Sequence, residues 1–430
     1  MLTRTKESFR EFLFFFAAGV IFVVCFLFIC KRMGAIADEP CHYRMIGGIL
    51  GGRNLFPMDC PYLPIYHWTI ATLYWLTHFR SPIPTEVWPL CPQTLIRFLP
   101  NMIRLLSACF SFTCVAVIFF LAKTINNKTA ISKASFFLFF PLFFPYFFLI
   151  YTDIYAMLYL FLALLFAIKR RLWLSGIFGI LAVIVRQTNI IWIGFIVSMV
   201  YLEDYYPQYK WKDVRQWILK FSPFLFALIA FIAIVVSVKG FVVADRNYHY
   251  VTFSFDHLFF LLFLFFFLFL PQNLANAPKV LALLKRNKFI GPALVGVFLG
   301  YYFFFKANHL YNSLSTQFQL FLHNWVLEWM RNPSFWSKGL TFLPIGYSIL
   351  SLCVTRLERR SFYLLYPFTV LFLIPFSVIE IRYFFVPLTL FILFEEQPAE
   401  TVTFATLALN ITAISCLLMA MTVGSAYFFP

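Results

Sequence analysis

Charged residues are scarce in this chain, and acidic residues are the scarcest of them. Only 12% of the 430 residues are charged, with 18 Asp and Glu against 34 Lys and Arg. Soluble domains carry about 25% charged residues, so this low content excludes an ordinary soluble globular protein. Hydrophobic residues take the place of the charge, because they make up 62% of the chain and include 61 Phe.

Long polar stretches are rare as well, since apolar runs recur along the whole length. A run of about 20 apolar residues is long enough to cross the hydrocarbon core of a bilayer. The sequence therefore predicts an all-α polytopic membrane protein, one transmembrane domain over residues 1–430 with about thirteen crossings. The first run, residues 12–30, is too long for the core of a typical signal peptide, so we predict a retained anchor. Residues 134–150 form another predicted crossing.

The excess of basic residues determines the predicted orientation. The formal net charge is +16, but the basic residues form short clusters between apolar runs, which indicates membrane topology rather than nucleic-acid binding. Arg4, Lys6 and Arg10 precede the first run, so we predict a cytosolic amino terminus. A long loop at 31–102 and a second segment at 306–338 then lie on the lumenal side.

The first lumenal loop contains two further local signals. Residues 62–76 are apolar and aromatic but short, which predicts a helix at the membrane interface. Cys41, Cys60 and Cys91 also lie in this loop. They allow one disulfide in an oxidising lumen, and their spacing fits no zinc site.

Asp38 and Glu39 are the first acids after the first apolar run, and His42 follows four residues after Asp38. Carboxylates at a membrane edge can take a proton from a hydroxyl group or hold a metal ion. A solvated start of a loop has the same composition. The stretch is therefore a candidate catalytic site, with the loop start as its alternative.

Residues 172–202 have basic clusters at both ends, and the polar residues Arg186, Gln187, Thr188 and Asn189 divide them into two apolar halves. Each half of about 13 or 14 residues spans only about 20 Å at 1.5 Å per residue. The polar residues are therefore predicted to lie below the lumenal surface in a polar cavity. An arginine at that depth needs an anion such as phosphate or an acidic partner, unless its side chain extends to the surface.

His42, Arg186, Gln187 and Asn189 are candidate substrate contacts. Other polar side chains at predicted lumenal turns are candidates as well. They are Asp153, Asp245, Arg246, His249, Glu380, Arg382 and Tyr383. Each has an ordinary structural alternative. Asp153 can be a helix N-cap, and Glu380 and Arg382 can either neutralise each other or separate, with Arg382 then contacting a phosphate.

Taken together, these segments resemble the dolichyl-phosphate-glucose-dependent alpha-1,2-glucosyltransferases, which add the last glucose to the lipid-linked oligosaccharide in the endoplasmic reticulum. The resemblance is carried, in the order of the family, by Asp38-Glu39 with His42, Tyr151-Thr152-Asp153, Arg186-Gln187-Thr188-Asn189, Asp245-Arg246 with His249, and Glu380-Ile381-Arg382-Tyr383. The chain departs from the family at Pro40 and Cys41, where two large apolar residues are usual. A late lumenal segment of the family also has no clear counterpart between His309 and Trp325.

The resemblance implies a GT-C-like bundle with a lumenal active site and an inverting transfer of glucose from dolichyl phosphate glucose. The acceptor would be a dolichyl diphosphate oligosaccharide, with membrane lipids around it and no nucleic acid. Such a transfer needs a base and cations near the departing phosphate. Asp38, together with Glu39, is the candidate for the base, and Arg186, Arg246 and Arg382 are candidates for the cations. We expect no cofactor or metal, because a lipid phosphate is already a good leaving group.

Two other functions agree with the same residue types. One is a mannosyltransferase that uses dolichyl phosphate mannose. The other is a lipid or anion transporter built around the buried arginine and the broken helix. The second is less favoured, because the sequence shows no clear inverted repeat.

Overall fold

The structure, a computed structural model, describes residues 2–32, 38–50, 65–77, 93–205, 214–237, 240, 250–309, 312 and 325–422. Helices dominate these ranges, and the described residues form no strand beyond an isolated bridge between Leu357 and Glu395. Helices are the expected result for an apolar chain, since inside a bilayer the backbone must satisfy its own hydrogen bonds. The chain divides into two compact units, Met1–Leu138 with Phe143–Arg246, and Phe139–Leu142 with Asn247–Pro430.

The first unit has these described helices: α1 (Leu2–Arg32), α2 (Glu39–Leu50), α3 (Ile65–Thr77), α4 (Gln93–Ile125), α5 (Ala130–Leu138), α6 (Thr152–Ile168), α7 (Leu172–Val185), α8 (Ile190–Tyr205) and α9 (Val214–Ser237). Helix α6 packs against α4 and α7, and α7 packs against α9. Gly176 allows α7 and α9 to approach each other closely. A Cβ at this position would lie 2.5 Å from Cβ of Pro223, closer than two side chains can approach.

A buried apolar cluster holds α2 and α3 against α4, α6 and α7. It contains Tyr43, Ile46, Tyr66, Ile70, Ala71, Ile103, Ile150, Tyr155, Ala156 and Val185. The buried side chains of this cluster pack densely against one another. The acidic start of α2 is therefore attached to the helices that carry Asp153 and Arg186.

Two local predictions are confirmed in the first unit, and one is wrong. The helix expected at 62–76 is α3, and the break expected at Arg186 separates α7 from α8. The interfacial place of α3 and the depth of the break stay predictions. The single span expected at 134–150 is wrong, because α5 ends at Leu138 and only a short 3-10 helix, Phe144–Phe147, follows. Pro141 and Pro145 lack the amide hydrogens that a continuous α-helix would need there.

The second unit has these described helices: α10 (Asp256–Leu268), α11 (Leu270–Ala275), α12 (Ala277–Arg286), α13 (Ile290–Phe304), α14 (Trp325–Arg331), α15 (Phe335–Val354), α16 (Leu365–Leu373), α17 (Phe385–Phe394) and α18 (Glu400–Thr422). Helix α15 is central to this unit, because it contacts α10, α12, α13 and α14. The segment expected as the second lumenal region, 306–338, is described at 306–309, 312 and 325–338, where it includes α14 and the start of α15.

Within the described residues, five helical segments are long and apolar enough to cross a membrane: Glu7–Ile29, Asn101–Ile125, Trp217–Ser237, Phe335–Val354 and Glu400–Met419. Six shorter apolar helices accompany them. These helices agree with a polytopic membrane protein. The thirteen crossings and the cytosolic amino terminus stay predictions. Cys41 is disulfide-bonded, which is typical of an oxidising compartment and supports the predicted lumenal side for the start of α2.

Candidate active site

The backbone of Asp38 is held at the start of α2. Its carbonyl oxygen accepts the amide hydrogens of Cys41 and His42 at 3.0 and 3.2 Å, so Asp38 occupies the capping position of this helix. Its own amide donates to the Tyr151 hydroxyl at 3.2 Å. The side chain is partly exposed, and the positive end of the helix dipole favours a carboxylate there. Asp38 is thus a fixed and accessible acid.

Glu39 is in a different environment, because it is fully buried. Arg104 of α4, itself 1% exposed, donates from Nε to Oε1 at 3.0 Å and from Nη2 to Oε2 at 2.5 Å. The amide of Ile150 also donates to Oε1, at 3.0 Å. Both carboxylate oxygens are therefore bound by fixed donors. This arrangement fixes the Glu39 side chain in the interior, whereas the Asp38 side chain is partly exposed.

His42 pairs with a second histidine that the sequence analysis did not identify. Nδ1 of His42 lies 2.8 Å from Nε2 of His67 in α3, and both residues are buried. A hydrogen bond between two ring nitrogens needs one lone pair, so at least one of the two rings is neutral. The ring of His42 also contacts Tyr151 edge to face at 5.7 Å. His42 therefore belongs to the buried support of the Asp38 segment.

Tyr66 extends this support toward α4. Its hydroxyl and the Ser107 hydroxyl are 3.0 Å apart, with both residues buried. Burial raises the pKa of the Tyr66 hydroxyl, and the nearby negative charge of Glu39 acts in the same direction. Tyr66 consequently remains neutral and can take part in the hydrogen bond as a protonated hydroxyl.

Asp153 and Arg186 form an ion pair between the start of α6 and the end of α7. Asp153 lies in the first turn of α6, where Tyr151 is the N-cap, so the N-cap alternative for Asp153 is wrong. The Asp153 side chain is 2% exposed, whereas that of Arg186 is 24% exposed. The guanidinium group is thus charged, anchored on one side and reachable from outside, as an anion-binding group must be.

The break after α7 has its own support. Arg186 adopts an extended backbone conformation, and residues Gln187–Asn189 form a 3-10 helix. The Asn189 side-chain amide donates at 3.0 Å to the carbonyl oxygen of Ala182, which also accepts the backbone amide hydrogen of Arg186. Asn189 is buried and serves this backbone contact, while Gln187 is partly exposed next to Arg186.

The connection at residues 150–153 links the two groups of charges. Ile150 donates to Glu39, Tyr151 accepts from the amide of Asp38, and Asp153 pairs with Arg186. Three residues that are more than 100 positions after Asp38 thus connect the acidic helix start to the arginine. The candidate active site of the first unit is this connection with the residues bound to it.

The second unit contains the other described candidates. Arg382 donates from Nε to Oε2 of Glu380 at 2.9 Å, and its Nη2 lies 2.5 Å from the same oxygen. Tyr383 stacks on Phe376 with ring centroids 3.9 Å apart. Of the two alternatives for Glu380 and Arg382, mutual neutralisation is the one observed. Contact of Arg382 with a phosphate stays a prediction that requires this pair to open.

Three predicted contacts lie outside the described residues, namely Asp245, Arg246 and His249. The described residues contain no group of three or more His, Cys, Asp or Glu side chains that could hold a metal ion. The expectation that no metal is needed stays a prediction.

Sequence reasoning missed Arg104 and His67, the partners of Glu39 and His42. A usable signal existed for Arg104, since it stands near the start of an apolar run that is long enough to cross a membrane. The rule that identified Arg186, that an arginine at membrane depth needs an anionic partner, applies equally to Arg104. A single histidine in an apolar helix, such as His67, gives no comparable signal.

Residues 68–216 match the sequence model of the DIE2/ALG10 family. The match covers about a third of the chain and contains Arg104, Asp153 and Arg186, while Asp38 and Glu39 precede it. No curated protein and no solved structure gives a significant match. Over residues 68–216 the chain is therefore similar to the DIE2/ALG10 family, the alpha-1,2-glucosyltransferase family that its motifs resemble.

Proposed function

We propose that this protein is an inverting glycosyltransferase that moves glucose from dolichyl phosphate glucose to a dolichyl diphosphate oligosaccharide. The product would carry the terminal alpha-1,2-linked glucose used in protein N-glycosylation. The proposed location is the endoplasmic reticulum membrane, with a cytosolic amino terminus and a lumenal active site. The observation that carries the proposal is the connection at 150–153. It joins Asp38, the accessible acid at the cap of α2, to Arg186, which is anchored by Asp153.

Each group has a place in the reaction. The Asp38 carboxylate takes the proton of the acceptor hydroxyl as its oxygen attacks the anomeric carbon of glucose. The bond from that carbon to the phosphate oxygen breaks on the opposite face, and dolichyl phosphate leaves with the electron pair. Attack from the opposite face inverts a beta linkage to an alpha linkage. Glu39 holds the start of α2 in place through Arg104 and Ile150.

Arg186 is the proposed partner of the donor phosphate in the first unit. Negative charge accumulates on the phosphate as the glycosidic bond breaks, and a fixed cation there stabilises the transition state. Asp153 orients the guanidinium group and compensates part of its charge before the lipid arrives. The exposed part of Arg186 is then available to the phosphate.

Replacing Arg186 with Ala should weaken the binding of dolichyl phosphate glucose by about 10- to 150-fold, because a hydrogen bond to a charged group contributes about 1.5–3 kcal/mol. Equilibrium binding of radiolabelled donor to the purified variant measures this. Arg186→Lys should restore only part of the affinity, since a single ammonium cannot form two parallel hydrogen bonds to a phosphate.

Arg171→Ala is the matched control for Arg186. Arg171 is exposed at the opposite end of α7, so its loss changes the net charge equally and should leave donor affinity unchanged. Equal donor affinity in wild type and Arg186→Ala would remove Arg186 from the site.

The identity of the donor is tested with the purified protein in a single-turnover assay. Dolichyl phosphate glucose and dolichyl phosphate mannose, each radiolabelled in the sugar, are offered separately with the oligosaccharide acceptor. We expect transfer of glucose only. Transfer of mannose would establish the sister mannosyltransferase reaction instead, and transfer of neither sugar would contradict an enzymatic function.

A further inference from the structure

A second candidate binding site lies entirely within the second unit. A cavity of about 710 Å³ is lined by the end of α13, by α14 and by the start of α15. Its size is in the range of small-molecule sites. The residues that give it chemical character are Lys306, Asn308, Glu328, Trp329, Arg331 and Lys338.

The charge of this lining is positive. Three cations, Lys306, Arg331 and Lys338, stand against the single carboxylate of Glu328. Arg331 uses part of its guanidinium group to contact that carboxylate at 3.2 Å. The cavity therefore retains an excess of positive charge, which favours an anionic ligand over a neutral one.

Lys338 is the least ordinary member of the set, because only 2% of the residue is exposed. Its ammonium donates to the carbonyl oxygen of Phe305 at 3.1 Å and lies 4.7 Å from the ring centroids of Tyr301 and Phe305. Among the described residues, no carboxylate is within ion-pair distance of it. A buried ammonium is costly unless an anion compensates it, so this lysine indicates a ligand that brings negative charge.

The negative charge of Asp256 acts on the Lys338 ammonium. Its carboxylate accepts the amide hydrogens of Lys306 and Ala307 at 3.2 and 3.0 Å. These contacts hold the chain at 306–307 next to the cavity. Asp256 thus shapes the site and compensates Lys338 only from a distance.

The remaining lining suits a sugar. Trp329 is 45% exposed and lines the cavity, and Asn308 and Asn332 add amide donors and acceptors to the lining. Apolar aromatic surface with a few polar groups is typical of small-molecule sites. Cations for phosphate and an aromatic side chain for a sugar ring occur together here.

We infer that this cavity binds the headgroup of a lipid-linked sugar, a sugar joined to a phosphate or diphosphate. The inference rests on the proposed function, because that function supplies two such lipids, the donor with one phosphate and the acceptor with two. It adds a substrate site made by described residues at 302–308 and 328–338, in the part of the chain where the sequence lacks the late lumenal segment of the family.

The test measures binding of both lipids to the full-length protein and to two variants. Lys338→Met removes the buried ammonium and keeps an unbranched side chain of similar length. Lys306→Gln with Arg331→Gln removes the two other cations at less buried positions, so it remains informative if Lys338→Met fails to fold. The probes are dolichyl phosphate glucose, dolichyl diphosphate oligosaccharide and, as a competitor without lipid, inorganic pyrophosphate.

We expect each variant to bind at least one of the two lipids about tenfold or more weakly. Loss of affinity for the monophosphate lipid assigns the cavity to the donor, and loss for the diphosphate lipid with weaker competition by pyrophosphate assigns it to the acceptor. Lys285→Met is the matched control, since Lys285 is exposed on α12 and is not part of the cavity lining.

Unchanged affinity for both lipids in folded variants would overturn the inference, as would the absence of measurable binding by the wild type. These outcomes are separable from failure of the proposed function. A wild type that transfers glucose while the variants bind normally contradicts only the cavity assignment. A wild type that transfers no sugar contradicts the function, and the binding comparison still reports on the cavity.

Discussion

Replacing Asp38 with Asn is expected to lower glucose transfer by about 100- to 10,000-fold, the usual contribution of a general base. The protein should stay folded, because Asn keeps the shape of the side chain. The hydrogen bonds that hold Asp38 use its backbone carbonyl oxygen and amide, which the substitution leaves in place. The substitution removes the basic carboxylate oxygen.

The measurement is turnover with radiolabelled dolichyl phosphate glucose and saturating acceptor, together with donor affinity and melting temperature. Donor affinity and melting temperature should match the wild type while turnover falls. Near-normal turnover with bound donor would show that the proton leaves by another route, and Asp38 would lose its assigned role.

Glu39→Gln separates the two neighbouring acids. Gln keeps an oxygen but presents an amide group to Arg104, so it loses part of the double hydrogen bond. We therefore expect a lower melting temperature together with a smaller loss of turnover than in Asp38→Asn. A larger loss of turnover at unchanged stability would reverse the two assignments and make Glu39 the base.

Replacing Arg104 with Met should have the second large effect, which is a loss of stability. This change leaves the fully buried Glu39 carboxylate without its cation, and breaking a buried ion pair from one side typically costs about 3–5 kcal/mol. The start of α2 should loosen first, because Glu39 attaches it to α4 and to the backbone of Ile150. Denaturant unfolding of the detergent-solubilised protein measures the loss.

The double variant Glu39→Gln with Arg104→Met is the decisive companion. It removes both charges, so no buried charge is left unpaired and much of the lost stability should return. Transfer should stay low in the double variant, because the start of α2 is still not held by the ion pair. Stability of Arg104→Met equal to that of the wild type would mean that the ion pair does not contribute to the folded protein.

Local properties of the sequence determined the all-helical membrane character, the helix α3 and the break at Arg186. Each depends on hydropathy or polarity within about 20 neighbouring residues, and a bilayer leaves an apolar chain few alternatives to helices. The wrong prediction of a span at 134–150 also has a local cause. Its hydropathy fits a crossing, but Pro141 and Pro145 interrupt the backbone hydrogen bonds.

The sequence also selected Asp38, Glu39, Asp153 and Arg186 as candidates, because charges are rare in this chain and expensive near a membrane. It left their roles open. The sequence alone does not show which carboxylate is bound by an arginine and which is accessible to a substrate.

Only the tertiary structure decided which charges compensate each other. Glu39 and Arg104 are 65 positions apart, His42 and His67 are 25 apart, and Ile150 reaches Glu39 across 111 positions. These pairs depend on how α2, α3, α4 and α6 pack. Burial then makes each pairing obligatory, because an uncompensated charge in an apolar interior costs far more free energy than one in water. Packing, and not local sequence, therefore distinguishes the accessible acid Asp38 from its buried neighbour.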